Sequence, residues 1–460
     1  MVSWFRVTRR GLLKLAVASL PLAAQEAKGA TALPLAEARL VLDEFSGELP
    51  EGLPGAAITE APWREWALAH DRQIRSRLKR GDADSIVNLV LFGNSFTSQP
   101  RAARTEEASG SDQAAAALTM ARVRDFAAAV SHPGRNERLQ FAAQWLKENG
   151  TDPAAGGRVA AVVVENIRRV LSEQREYSRQ IEAARQKDAA SLFTEKSSLY
   201  RDRGLSLDTS FRPNYAIEKT LADLKSAGLL RKARRSAVIG PGLDFTNKNS
   251  GYDFYPLQTL QPFALIDSLL RLGLTDSPGP SLGIFDLSGR VLSHVRQAVA
   301  QARAGSGYTV QLALDEDTAW LPGTVEYWRE ACTEIGKGAA ALVPPRGVSA
   351  QMRAVRVRPG VVGLLEPSDL DIVIERLALP EARRFDLIVA TNILVYYSPF
   401  EKALALANVA AMLRAGGLLL SNDVLPEVRG IPMRPAGATS VAYSADPDDG
   451  DNVMWYRRTG

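Results

Sequence analysis

The stretch Ala237-Val238-Ile239-Gly240-Pro241-Gly242-Leu243-Asp244-Phe245 is a short apolar run that ends on two glycines separated by one residue. Its composition is that of a buried strand. The glycines supply what a strand-to-helix crossover needs, namely access to positive φ and no Cβ to hold a ligand off the backbone. A plain tight turn would use the same residues. A second short run, Leu282-Gly283-Ile284-Phe285-Asp286, ends in an acid and leads into a helix-like stretch at 288–304. A carboxylate at a strand tip can accept two hydrogen bonds from a ribose diol, or it can cap the following helix.

Outward from this pair, short β-branched or apolar runs alternate with amphipathic stretches at 236–239, 257–272, 282–285, 289–304, 309–314, 324–335, 354–357, 385–390, 399–413 and 417–421. Alternation of this kind predicts a doubly wound α/β sheet. Segments 440–444 and 452–457 flank an Asp/Gly-rich turn and read as an antiparallel hairpin that closes it. Before residue 205 the character is different. Stretches 63–80, 114–129, 137–148 and 158–187 carry helical spacing and are rich in Ala, Glu, Gln, Arg and Lys, which predicts an all-α region without solenoid periodicity.

The chain has 460 residues, 46% of them hydrophobic and 23% charged, with a formal charge of +4. This is the composition of a globular protein of two or three domains, and it excludes collagen, coiled coil and disulfide scaffold. Charges of both signs are interspersed, so no nucleic-acid partner is expected. One cysteine, Cys332, and three histidines, His70, His132 and His294, supply a Cys/His metal site poorly, and no metal is expected. The histidines read as surface or helix residues. No stretch after the N-terminus is apolar over the roughly 18 residues of a membrane span.

The N-terminus reads Thr8-Arg9-Arg10-Gly11-Leu12-Leu13-Lys14 and continues apolar to Ala24. It is similar to the twin-arginine signal, which would make residues 1–29 an export segment and the twin-arginine exporter a partner. The protein would then be periplasmic or secreted; the alternative is an amphipathic N-terminal helix of a cytoplasmic protein. Pro and Gly breakers mark 30–62 as a linker or wrapping segment. The expected organisation is thus a signal at 1–29, a linker at 30–62, a helical domain at 63–205 and an α/β domain at 206–460.

Four ordered motifs carry a family resemblance: Ile239-Gly240-Pro241-Gly242, Phe285-Asp286-Leu287-Ser288, Phe385-Asp386-Leu387-Ile388 with Thr391-Asn392, and Leu413-Arg414-Ala415-Gly416-Gly417. The series resembles the class I S-adenosylmethionine-dependent methyltransferases over 236–460, with Asn392 to Tyr397 similar to the CheR-like protein methyltransferases. The resemblance implies a Rossmann-like sheet with a C-terminal antiparallel hairpin, behind an all-α N-terminal domain, and S-adenosylmethionine as cofactor. It also implies a cofactor-binding set in which Gly240 and Gly242 wrap the methionine moiety with Asp244 beside them, Asp286 holds the ribose, Asp369 and Leu370 contact the adenine, and Asn392 lies where the methyl acceptor approaches. The acceptor itself, protein or small molecule, stays unidentified. No catalytic residue is named, because the sulfonium carries the reactivity and the protein supplies proximity and desolvation. Tyr396 and the loop Tyr252–Tyr255 are candidates for the acceptor side and for a lid, or else for packing.

Asp244 stands where the family commonly has a third glycine, and could pair with the ammonium of the methionine moiety or repel its carboxylate. The interval from Gly242 to Asp286 is long, and a further insertion holds Trp320, Tyr327 and Trp328. Two other functions compete. An exported chain would lack a cytoplasmic cofactor unless it left with it bound, which suits a non-catalytic binding protein on a methyltransferase-like scaffold. The run Val87–Phe92 followed by Gly93-Asn94-Ser95 is similar to the first block of SGNH-type esterases, an apolar strand delivering a nucleophilic serine, here Ser95, although no Asp-x-x-His follows near the C-terminus.

Overall fold

The computed structural model describes residues 29–53, 58–102, 113–185, 204–205, 208–247 and 250–460. The twin-arginine stretch lies outside the described residues. Strand β1 (Ala30–Ala32) and helix α1 (Leu35–Glu44) open the described chain, followed by α2 (Glu60–Phe92), α3 (Gln113–Ser131), α4 (Glu137–Glu148), α5 (Gly156–Arg185) and α6 (Arg212–Ser226). Next come β2 (Arg235–Ile239), α7 (Gln261–Arg271), β3 (Ser281–Asp286), α8 (Gly289–Arg303), β4 (Tyr308–Asp315), α9 (Pro322–Glu330), β5 (Gly336–Ala339) and β6 (Ala350–Val357). The chain closes with β7 (Leu365–Asp369), β8 (Glu375–Leu377), β9 (Phe385–Ala390), α10 (Pro399–Met412), β10 (Leu413–Ser421), β11 (Met433–Ala442) and β12 (Gly450–Arg458).

Seven strands form the central sheet in the order β11-β12-β10-β9-β2-β3-β7. The pairs from β10 to β7 are parallel, and the β11–β12 hairpin adds antiparallel to β10. This is a Rossmann-like α/β fold. Its parallel strands read as continuous apolar runs because both faces are covered. Val238, Ile284 and Val389 pack into one core with α6, α7 and α8, whereas the alternate residues Ala237, Ile239, Phe285, Ile388 and Ala390 pack into the other with α1, α10 and the first half of α2. The chain leaves β2 toward β3 and β7, then returns to the other side through β9. The carboxyl ends of β2 and β9 therefore border the crevice where strand order reverses, the usual place for a ligand in such sheets.

Three sequence readings need correction. Runs 309–314 and 354–357 are strands, but they pair with each other in a separate antiparallel sheet, β4-β6-β5, with Val310 opposite Val355. Leu365–Asp369, absent from the alternating runs read from the sequence, is itself the edge strand β7, where Pro367 is tolerated because only one side is paired. Val87–Phe92, read as a strand, is the last turns of α2; it is buried by α3, α4 and α5, and a short apolar run does not by itself distinguish a buried strand from a buried helix.

Segment 30–53 wraps the α/β part. Strand β1 pairs with β8, and Leu35, Ala38, Val41 and Leu42 are buried in the core that contains Ile239. Helix α2 crosses the expected boundary as well, with Trp63, Trp66 and Ile74 in that same core and Ile86 to Phe92 in the core of the helical part. Gly81 makes this possible at one point. A Cβ there would lie 1.7 Å from the carbonyl oxygen of Leu205, so only glycine lets the 204–205 segment lie against the helix. The Leu205 N–H donates to the Arg77 carbonyl at 3.1 Å.

Candidate functional site

The glycine turn after β2 has Gly240 at φ +68 and Gly242 at φ +63, conformations that any side chain would strain. A Cβ on Gly240 would also stand 2.3 Å from Cγ2 of Ile393. The Gly240 N–H donates to the Phe285 carbonyl at 2.8 Å, which ties the turn to the end of β3. Two adjoining cavities open on this turn and share Gly240, Gly242, Ile393 and Tyr396. One is apolar, about 80 Å³, walled by Ile239, Phe285, Leu370 and Ile372 and roofed by Leu78 and Leu205, with Asp286 as its acid. The other is polar, about 290 Å³, and includes Asp208, Thr246, Asn247, Gln261, Thr391 and Asn392.

Asp286 ends β3 and faces the apolar arm. Burial pushes its carboxyl up to about 7, against the backbone N–H groups of Ser288, Gly242 and Leu287, while the nearby Asp369 pushes it further up. The Ser288 N–H reaches Oδ1 at 2.7 Å. The cap of α8 is Ser288, whose Oγ accepts from the Val291 N–H at 3.4 Å. Asp286 is therefore held by the helix start without being its cap.

Asp369 lies opposite Asp286 in the β3–β7 register. Arg75 of α2 grips both its carboxylate oxygens, at 3.1 and 3.3 Å, and is itself held by Asp71 at 2.8 Å. Asp369 lines neither arm, whereas its neighbour Leu370 does. Asp244 is also outside both arms. Its Oδ2 accepts from Tyr255 Oη at 2.9 Å and Gln258 Nε2 at 3.0 Å, and the Arg138 guanidinium donates to its carbonyl at 2.8 Å. Burial pushes this carboxyl up, and Arg138 pulls it down. Asp244 borders a separate small cavity of about 20 Å³, with Tyr252, Tyr255 and Gln311.

Asn392 sits in the polar arm with φ +61, a left-handed conformation that asparagine tolerates better than other non-glycine residues. Its N–H donates to Asn422 Oδ1 at 2.8 Å, and the Asn422 amide donates back to Asn392 Oδ1. The loop at Tyr252–Tyr255 packs inward: Tyr252, Asp253 and Tyr255 are buried, and none of its residues lines either arm. Tyr396 is half-buried at the junction of the arms, and Arg77 donates to its carbonyl at 3.0 Å.

Ser95 follows a helix, not a strand. Its hydroxyl donates to the buried Asp253 at 2.6 Å and accepts from Asn136 at 2.9 Å, a structural knot with no histidine in it. His132 is exposed. His294 pairs with Tyr308 Oη at 2.7 Å, and burial lowers it. His70 departs from the surface reading, since it is 4% exposed and lies between two carboxylates.

Several lining residues carry no sequence signal. Asp208, Gln261, Leu78 and Leu205 lie outside the motifs, and the packing of α2, of the chain before β2 and of the start of α7 brings them to the turn. Gln261 Nε2 donates to Thr391 Oγ1 at 2.8 Å, which fixes the floor of the polar arm. Chemically, an apolar slot beside a carboxylate suits a heterocycle joined to a diol, and the polar arm suits a charged or hydroxylated extension. Among the described residues no cluster of three or more metal-ligating side chains occurs, and no helix is long and apolar enough to cross a membrane.

Among solved structures, the chain is similar to the N-methyltransferase NodS from Bradyrhizobium japonicum WM9, at 12% identity over 54% of this chain and 96% of that one, with a TM-score of 0.27. It is also similar to the glycopeptide N-methyltransferase MtfA (13%, 55% and 75%, TM-score 0.23). A third is the magnesium protoporphyrin IX methyltransferase ChlM from Synechocystis PCC 6803, solved with bound S-adenosylmethionine (10%, 62% and 90%, TM-score 0.24). All three are methyltransferases. No family model and no curated protein matches the chain.

Proposed function

We propose that the protein binds S-adenosylmethionine at the glycine turn and transfers its methyl group to an acceptor held in the polar arm. The observation that carries this reading is the meeting, at the switch point of the sheet, of a turn whose cavity-lining residues, Gly240 and Gly242, lack side chains, with a cavity-facing carboxylate, Asp286. In this reading Asp286 accepts hydrogen bonds from the ribose diol, and Ile239, Leu370 and Phe285 cover the adenine. The turn then takes the methionine part toward Asp208, Thr246 and Asn392. The cofactor supplies an electrophilic methyl on a sulfonium. The chain supplies position and desolvation: Tyr396 and Ile393 border both arms and hold water away from where they join. Asp369 keeps no cofactor contact in this reading while Arg75 holds it.

The test is calorimetric titration of the full chain with S-adenosylmethionine and S-adenosylhomocysteine, with Asp286→Ala as control. Micromolar binding that the substitution abolishes supports the reading; no binding at millimolar ligand refutes it.

A second reading, a non-catalytic binding protein on the same scaffold, is favoured by the narrow apolar arm. That arm is the smaller of the two, about 80 Å³ against about 290 Å³, with Leu78 and Leu205 among its lining residues. Export through the twin-arginine route, proposed from residues 8–14, is compatible with either reading if the cofactor travels with the folded chain.

A further inference from the structure

Helix α2 does more than roof the apolar arm. His70 on this helix is buried between two carboxylates from different parts of the α/β chain: Nε2 lies 3.3 Å from Asp371 and Nδ1 lies 3.1 Å from Glu401. Each carboxylate is anchored to a wall of the cavity. Asp371 stands between the lining residues Leu370 and Ile372, and its Oδ1 accepts from the Val373 N–H at 3.0 Å. Glu401 belongs to the capping box of α10, where its carboxylate accepts from the Ser398 N–H at 2.7 Å, and that helix starts directly after the lining residues Tyr396 and Tyr397. Trp66 stacks on the imidazole with ring centres 5.4 Å apart, and the Tyr397 ring lies 6.3 Å away on the other wall.

We propose that His70 is a positioning residue for the cofactor, a tie across the apolar arm that holds the Leu370–Ile372 wall and the Tyr396–Tyr397 wall at a fixed separation. The inference rests on the cofactor reading above. The groups facing His70 are Asp371 after β7, Glu401 on α10, Tyr397 before α10, and Trp66 on its own helix; Arg77 approaches Tyr397 from α2. Burial opposes the charged imidazole, but the contacts with Asp371 and Glu401 outweigh it and raise His70 to about 9. At neutral pH the tie is therefore a cation between two anions. As pH rises through about 9 the imidazole loses its proton, and two buried carboxylates are left facing one neutral ring.

The experiment uses the full chain and 5′-methylthioadenosine, which occupies the nucleoside part of the site and has no ammonium of its own to titrate. Dissociation constants are measured across the alkaline range for the wild type and for His70→Gln, with thermal melts alongside. In parallel, the ring signals of the three histidines are followed by NMR. The expected result is binding about tenfold weaker in His70→Gln at neutral pH, together with a loss of wild-type affinity that coincides with the titration of one histidine near 9 and is missing from the variant. A folded His70→Gln that binds as tightly as the wild type overturns the proposal and leaves the cofactor reading intact. Should that variant not fold, the wild-type profile decides: a histidine titrating near 9 with unchanged affinity overturns the role, and coincident loss supports it. A wild type that binds neither 5′-methylthioadenosine nor S-adenosylhomocysteine at neutral pH overturns the cofactor reading itself, and this role with it.

Discussion

Replacing Asp286 with asparagine should make the protein more stable and a poorer binder at the same time. In the fold its carboxyl is pushed from 3.8 to about 7 by burial, against backbone N–H groups that favour the anion. A shift of that size corresponds to a cost on the order of 4 kcal/mol for keeping the group ionised, an upper value because part of the side chain stays solvated. The sign follows from proton binding. Between about pH 4 and 7 the unfolded chain has released this proton and the folded chain retains it, so stability falls as pH rises through that window and the full cost is present above 7. Asparagine keeps an oxygen for the Ser288 N–H and removes the charge, so the melting temperature should rise by several degrees at pH 8 and hardly change near pH 4. Binding should move the other way. A diol donating to a carboxylate makes charge-assisted hydrogen bonds of about 1.5–3 kcal/mol, so S-adenosylhomocysteine should bind roughly 10- to 150-fold more weakly to Asp286→Asn. Wild-type affinity should also weaken as pH falls below 7, with a limiting slope of about tenfold per unit, and the variant should lack this slope. Calorimetric titrations and thermal melts at both pH values test all three effects. An Asp286→Asn protein with wild-type affinity, or one less stable than wild type at pH 8, would refute the assignment of a strained, ligand-facing carboxylate.

Other substitutions separate backbone from side-chain roles. Gly240→Ala combines a left-handed residue with a Cβ 2.3 Å from Ile393, so it should cost about 1–3 kcal/mol of stability in chemical denaturation and abolish ligand binding. Asn392→Gly should preserve the turn at φ +61 while removing the amide, and Asn392→Ala should add about 1–2 kcal/mol of backbone strain; equal stability of the two variants would sink the strain argument. Ser95→Ala leaves the buried Asp253 with one fewer donor, so it should lower stability by about 1–3 kcal/mol without altering S-adenosylhomocysteine affinity, and ester hydrolysis lost on this substitution would reverse the structural reading of Ser95.

What the chain discloses on its own is local. The runs that become β2, β3 and β9 have apolar centres because both sheet faces are covered. Gly240 and Gly242 sit at left-handed φ values that favour glycine, and Asp286 is recognisable as an acid at a strand tip. Ordered along the chain, those signals are enough for a Rossmann-like sheet with a C-terminal hairpin. Pairing is a different matter, since a strand's partner depends on contacts far away in sequence. That is why 309–314 and 354–357 read as members of the main sheet yet pair with each other, and why Val87–Phe92, apolar on all sides, reads as a strand yet ends a helix. The same reason governs the site. Asp244 and Asp369 occupy motif positions, but Tyr255 and Gln258 of the following loop hold the first, and Arg75, brought from the far end of the chain by the fold, holds the second. Leu78 and Leu205 reach the cavity, and His70 reaches Asp371 and Glu401 behind its walls, because α2 lies across the sheet with Gly81 clearing the 204–205 segment, an arrangement no local pattern encodes. Sequence alone determined the candidates for the site at the end of β2; tertiary packing decided which of them face its cavities, because burial and partner choice are set by neighbours that local pattern does not encode.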